Sequence, residues 1–473
     1  MAIPNVMHTG RSAMQAAKAA MSATGHNISN ASTEGFSRQK VEVSSQPSPA
    51  PPGSKMQIGQ GVTISRVGRM NDEYIEKQII NASLDKSSHE EKDLMLRQTE
   101  DIFNEMGGEG LNRLMSRFFN EFRKLANEPD NQAVRQSVRE ATMAMVNDVH
   151  RMRASVEDVR VHIDSRINGA VSDINAAATE IRDLNQRVQV MATGGGNPND
   201  LMDQRDRALR KLAQLTDIQM FHDPRSGMTV NLKGIGPLVS GPNAEQLDTF
   251  RSPADEYGKV ENALDIKSSS SAKGIVTHVI KGGKLGALLD VRDKTLSVVA
   301  NRLDELAYSI TSTVNEVHQQ GFTMNGAQGA NFFKPINQIQ RAAEFLDLSD
   351  EVKASVNNIA TAAAPDSPGD NRIALAISGI QGMRVMGDGK STVDEFYNAI
   401  VGDVGVVTAR NRNALNQQKD IQTQLEKMRE QISGVSIDEE TTNLLQFQHT
   451  FDASAKVIQI ADEMMKTVLD LKR

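Results

Sequence analysis

From Val149 to Met191 the apolar residues Met152, Val156, Val159, Ile163, Ile167, Ala170, Ile174, Ala177, Ile181, Leu184, Val188 and Met191 recur at steps of three and four. That spacing lines up side chains on one stripe of an α-helix. Glu128-Pro129-Asp130 opens the element and Gly194-Gly195-Gly196 closes it, which predicts a single helix of about 60 residues, about 90 Å long at 1.5 Å per residue. A chain built around such a rod must be elongated. Two steps of four follow one another only around Ile163 and Ile167, a local eleven-residue step that should relax the supercoil there.

The two ends of the chain carry narrower stripes. Met7, Met14, Met21 and Ile28 fall on a strict seven-residue period, with Ile3, Gly10, Ala17 and Thr24 between them. At the other end Leu444, Phe447, Phe451, Ile458, Ala461, Met465 and Val468 follow three- and four-residue steps, with Ser454 at one inner position. Each reads as one side of a coiled-coil seam, and the two suit each other. A methionine stripe is far more often packing than a ligand box, and the flexible thioether adapts to more than one neighbour. Such a pair is too short and narrow to hold itself together against the entropy of ordering it. Both ends are therefore expected to be mobile in the free chain.

Between the ends the texture is nested. A Pro-rich stretch, Pro47 to Gly53, and a strand-like Gly61 to Ser65 mark a boundary. Helical patterning runs from about Met70 to Met106, breaks at Gly107-Gly108, and resumes from Leu111 to Asn127. After the long helix come a short helix near Leu201 to Leu215 and a region of short β-like runs, including Met228 to Leu232 and Ile275 to Ile280. Helix returns over Leu285 to Gln319, loosens from Gly321 to Asp388, and closes with Phe396 to Gly434 and the terminal segment. The predicted fold class is mainly α: an elongated nested-domain protein with N- and C-terminal helices pairing as a coiled coil, a long-helix bundle domain and a small β-rich inserted domain. The boundaries are residues 1–60 plus 415–473 for the terminal assembly domain, 61–216 plus 285–414 for the helical domain, and 217–284 for the β-rich insert.

Composition narrows the function classes. A net charge of -7 from 53 basic and 60 acidic residues leaves no basic footprint for nucleic acid and no polybasic membrane patch. There is no cysteine, hence no thiolate nucleophile, disulfide or Cys-held zinc. The first residues, MAIPNVMHTGRSAMQAAKAAMSA, lack a basic region followed by a continuous apolar stretch, so a cleaved Sec-type signal is not expected. No stretch is long and apolar enough to cross a membrane. Export, if it occurs, needs a route that recognises the chain uncleaved.

The run Asn27 to Gln39, NISNASTEGFSRQ, resembles the N-terminal signature of flagellar axial proteins through Asn27, Asn30, Thr33, Gly35, Phe36, Ser37 and Arg38. NDLMDQRD at 199–206, Gly321-Phe322 with Asn331-Phe332-Phe333, and ISGVSIDEETTNLLQFQ at 432–448 narrow the resemblance to the hook-associated protein 1 family. Order and spacing agree from end to end. Glu34 stands where many relatives have proline. After Phe333 the chain passes through Lys334-Pro335 into helix-compatible sequence, so the outer domain that longer members carry there is expected to be missing.

The resemblance implies a non-enzymatic subunit at the hook-filament junction of the bacterial flagellum, exported uncleaved by the flagellar type III route. Its implied partners are further copies of itself in a helical array, the hook protein, a second junction protein leading to the filament, and a cytoplasmic export chaperone. Leu444, Phe447, Phe451 and Ile458 are the chaperone-binding candidates, and Ile3, Met7, Met14, Met21, Ile28, Leu444, Phe447, Phe451, Ile458, Met465 and Val468 the assembly-helix residues. The implied location is extracellular, after a transient cytoplasmic stage. No cofactor, catalytic residue or nucleic-acid partner is implied.

Two other classes stay open. A sibling axial role, in hook or filament, shares the end signatures, and a secreted hydrolase carried on an axial scaffold would need a catalytic cluster in the β-rich insert. Gly387-Asp388-Gly389-Lys390-Ser391 ends like a phosphate-binding loop, but Arg384 stands where the motif needs glycine, so it reads as a surface turn. His89-Glu90 is followed by Asp93 instead of histidine, which breaks the metalloprotease spacing. Asp438-Glu439-Glu440 read as acids biasing the first turn of the last helix toward the positive end of its dipole.

Overall fold

In the computed structural model the described residues are 2–46, 59–103, 110–223, 227–251, 264–268, 274–367 and 369–470. The stretch 47–53, the break at 107–108 and the side chain of Ile3 lie outside them. Helix α1 spans Ala2–Ser29 and is followed by an antiparallel hairpin, β1 Gln39–Ser45 and β2 Val62–Arg69, in register from Gln39↔Arg69 to Ser45↔Val62 with an irregularity at Glu42/Val43. Helices α2 (Glu73–Phe103), α3 (Leu111–Asn127), α4 (Gln132–Thr193) and α5 (Asn199–Leu215) come next. The 62 residues of α4 make the rod that the heptad-like pattern predicts, and Asn131 caps it by accepting from the amides of Ala133 and Val134. Its buried stripe includes Val156, Ile163, Ile167, Ile174, Ile181 and Val188. Met191, the last member of the predicted series, is instead exposed, in the final turns before Gly194 where the helix runs past its neighbours.

The insert contributes strands β3 (Ile218–Asp223), β4 (Gly227–Leu232), β5 (Gly236–Ser240) and β6 (Asn243–Ala244) in an antiparallel sheet of order β3-β4-β5-β6, and a separate pair β7 (Leu247–Arg251) and β8 (Leu264–Ser268). Both lie against α4, and Asn175 clips β7 in place through the amide and carbonyl of Leu247. The expected strand over Ile275 to Ile280 is not one. Ile275 makes a single bridge to Lys267 and the chain turns, because Thr277 Oγ1 is taken up by Asp265 and the Ile266 amide while Val276 and Ile280 bury. Then follow α6 (Gly283–Asp290), a π-helical turn Val291–Leu296, α7 (Ser297–Gln319), the short α8 (Ala342–Phe345) and α9 (Asp350–Ala354), α10 (Arg372–Gly379), α11 (Val393–Ser433) and α12 (Ile437–Asp470).

One continuous apolar core, from Ile80 to Val404, joins the helical body to the β-rich insert, and no residue of α1 or α12 belongs to it among those described. Phe118, Phe119, Phe122, Phe332 and Phe333 form its densest part, with ring centroids of Phe122 and Phe332 5.4 Å apart. Beside them His318 is fully buried: Nδ1 donates to the Ala330 carbonyl at 2.6 Å and Nε2 accepts from the Ala360 amide at 2.8 Å. Burial, with the nearby Arg135 charge adding to it, lowers the His318 imidazole from 6.5 to about 4. The unfolded chain thus takes up a proton near pH 6.5 that the folded chain refuses until about pH 4. Stability is expected to drop by about 3 kcal/mol as pH falls across that window and to level off below it. Urea unfolding at stepped pH checks this: His318→Gln should lack that part of the slope, and an identical slope in the variant would assign the acid sensitivity elsewhere.

Candidate functional site

Helices α1 and α12 pack along their length as a pair standing on the helical body. Their closest line is made by small residues: Gly10, Ala17, Ala20 and Thr24 on α1 face Ser454 and Ala461 on α12, all buried. A Cβ on Gly10 would lie 2.8 Å from Ile458 Cγ1 and 3.4 Å from the Ser454 carbonyl, so any side chain there would force Ile458 to move. Met7, Met14, Met21 and Ile28 flank this line half-buried, as do Leu444, Phe447, Phe451, Ile458 and Met465, whereas Val468 is exposed. Met7, Met14, Met21 and Ile28 thus lie beside the small residues, which are deepest, whereas Val468 lies off the buried line.

The pair is thin. Of the 34 residues of α12 only Glu440, Ser454 and Ala461 are buried, and Leu445, Ile460, Met464 and Val468 are each more than half exposed. Ile460, Met464 and Val468 stand four residues apart and leave an apolar stripe uncovered toward the end of α12; Val468 was expected in the seam, and the other two are interleaved with it.

The signature motif forms the base of the pair. Asn27 is buried and clamps the Gln39 backbone in both directions, its Nδ2 donating to the carbonyl and its Oδ1 accepting from the amide, each at 2.9 Å. The same Nδ2 donates to Glu440 Oε2 at 3.0 Å. Asn30 Nδ2 ties back to the His26 carbonyl and Thr33 Oγ1 to Asn30 Oδ1. Gly35 has φ +76°, and a Cβ there would meet Arg207 Cγ at 2.7 Å. Phe36 lies edge-on to His26 at 5.5 Å. The Ser37 amide donates to Asp203 Oδ2 at 3.0 Å, and the Arg38 amide to the Ser433 carbonyl. Arg38 pairs with Glu439 at 3.1 Å and with Glu440 at 2.6 Å.

The 199–206 motif on α5 receives this loop. Asp200 accepts from Gln39 Nε2 and meets His26 Nε2, and Arg69 Nη1 bridges Asp203 at 2.8 Å and Asp206 at 2.7 Å. Burial pushes the Asp203 carboxyl above its ordinary value despite its hydrogen bonds with Arg69 and the Ser37 amide. Arg69 is held above its own, since Asp206 and Asp203 outweigh its burial. Arg429 of α11 joins Glu76 of α2 at 2.7 Å and reaches the Phe36 carbonyl.

Gln39, Asp203 and Glu440 lie within the quoted motifs, but no spacing in the sequence shows that they meet, and Arg69 lies in none of those motifs. Glu440 was legible only as an acid of the first turn, and the structure adds a buried pair with Arg38. The Phe332-Phe333 motif goes instead to the body core. Gly387 to Ser391 is a left-handed turn closed by Met386 and Ser391, ahead of a capping box formed by Thr392 and Glu395. Among the described residues no group of three or more His, Cys, Asp or Glu is placed to hold a metal, and no helix is long and apolar enough to cross a membrane.

Comparison with known proteins gives three matching family models: "Flagellar hook-associated protein FlgK helical domain" over residues 96–333, "Flagella basal body rod protein" over 7–36, and "Flagellar basal body rod FlgEFG protein C-terminal" over 430–471. The chain is 27% identical to flagellar hook-associated protein 1 of Bacillus subtilis, covering 98% of this chain and 97% of that one. It is 23% identical to the protein of the same name from Salmonella typhimurium, covering 99% and 100%. That second alignment spans 560 positions against the 473 residues here, so the relative carries segments this chain lacks. The fold is similar to a solved flagellar hook junction protein FlgK from Burkholderia pseudomallei, with TM-score 0.68, 16% identity and coverage of 75% of this chain and 100% of that one.

Proposed function

The chain belongs to the flagellar hook-associated protein FlgK family, and from that premise we propose that it is the structural subunit joining hook to filament, assembled through α1 and α12. The observation that carries this reading is the contrast between a body with a continuous core and a terminal pair outside it that leaves an apolar stripe on α12 uncovered. A pair with so little buried area gains most of its order from neighbours, which couples ordering of the ends to incorporation. Contacts between successive copies that do not close on themselves would build the helical array, with the hook protein on one side and a second junction protein on the other. The thin pair also suits passage, uncleaved, through the type III export channel in a partly folded form. Antibody labelling should give a single band between hook and filament, and a deletion strain should shed filament subunits while keeping hooks. Label running along either polymer would instead make the chain a hook or filament subunit.

Before export, an apolar C-terminal segment needs cover in the cytoplasm. An export chaperone would grip Leu444, Phe447, Phe451 and Ile458 as an amphipathic helix in a groove. Replacing all four with charged residues is expected to abolish chaperone capture, and capture that survives the change would rule these contacts out.

A further inference from the structure

The signature, the α5 motif and the start of α12 are far apart in sequence, with 413 positions between Asn27 and Glu440, yet they meet at the base of the terminal pair. There the dipeptide Ser37-Arg38 is held between two buried carboxylates carried by different helices. On one side Glu440, 2% exposed, has both oxygens engaged, by Arg38 Nη2 at 2.6 Å and Asn27 Nδ2 at 3.0 Å. On the other Asp203, 4% exposed, accepts from the Ser37 amide and from Arg69. A buried carboxylate stripped of its partner is far costlier than the pair is favourable. Losing either contact to this dipeptide would leave a buried carboxylate short of a partner. Farther out, burial on α12 falls to Ser454 and Ala461 alone.

We propose that Glu440 and Asp203 are positioning residues that fix the bases of α1 and α12 to the helical body in the free chain. The terminal pair then zips outward from one defined start when neighbouring subunits cover it. This rests on the assembly role proposed for the pair, but its readout is taken on the free chain, so it stands or falls without any assembly result.

The test is amide hydrogen exchange of the full-length chain in dilute solution. Residues 25–40 and 433–445 should exchange more slowly than 4–12 and 458–470. Arg38→Met, which strands the Glu440 carboxylate, should cost both basal segments at least about tenfold in protection while α4 is unchanged. Arg38→Met with Glu440→Gln should lie closer to wild type than Arg38→Met alone, because no buried charge is then unpaired. Asp203→Asn supplies an independent variant, expected to loosen residues 30–40 and the start of α12 together. Loosening confined to the mutated segment, a double variant as loose as Arg38→Met, or wild-type bases exchanging as fast as the tips would each overturn the proposal.

Discussion

A chain carrying Gly10→Ile is expected to lose the pairing of α1 with α12 while its body melts unchanged. Any Cβ at position 10 starts 2.8 Å from Ile458 Cγ1 and 3.4 Å from a backbone oxygen of α12, and a β-branched side chain adds bulk where the helices are closest. Overpacking of this kind costs about 1–3 kcal/mol, against about 0.5 kcal/mol gained from better helix propensity. In the body such a cost would be tolerated. In a pair whose longer contribution, α12, buries three residues, it exceeds what pairing can return. The main thermal transition should not shift, and incorporation into flagella should fall at least tenfold. Normal incorporation of the variant would mean that the close approach is dispensable.

Arg292→Met should act in the opposite place, destabilising the body by about 3–5 kcal/mol. Arg292 is 1% exposed in the π-helical turn, where Nη1 reaches Asp164 of α4 at 3.0 Å and the Leu264 carbonyl of β8 at 2.7 Å, and Nε pairs with Asp293 at 2.7 Å. It thus ties the long helix to the insert at a point where removal leaves buried Asp164 and a carbonyl unsatisfied. Adding Asp164→Leu should recover much of the loss, since replacing both members of a buried pair with apolar groups can be nearly neutral. Chemical unfolding checks both; an undiminished loss in the double variant would place the cost in lost packing rather than in stranded charge.

The helices were legible because period is local. The steps from Met152 to Val188 specify one buried stripe, and Gly194 to Gly196 a stop, without reference to the rest of the chain. The pairing of the two ends was legible for the same reason. The identity of the deepest residues was not: Gly10, Ala17 and Thr24 share the heptad with the methionines, and only the distance between helices decides which set lies inside. Nor could spacing reveal the joint, because Arg38 and Glu440 meet only after the entire body has folded between them. The strand expected at Ile275 failed because Thr277 spends its hydroxyl on Asp265 and the chain turns instead of pairing.

The most direct test of the terminal pair as the assembly element is incorporation of a chain lacking residues 1–35. Among the described residues none of those removed belongs to the body core, so the truncated protein should remain soluble and melt with the wild-type body. Expressed in a strain lacking the full-length chain, it should leave hooks without a junction band, and filament subunits shed to the medium. A normal junction built from the truncated chain would contradict the assembly role of the ends.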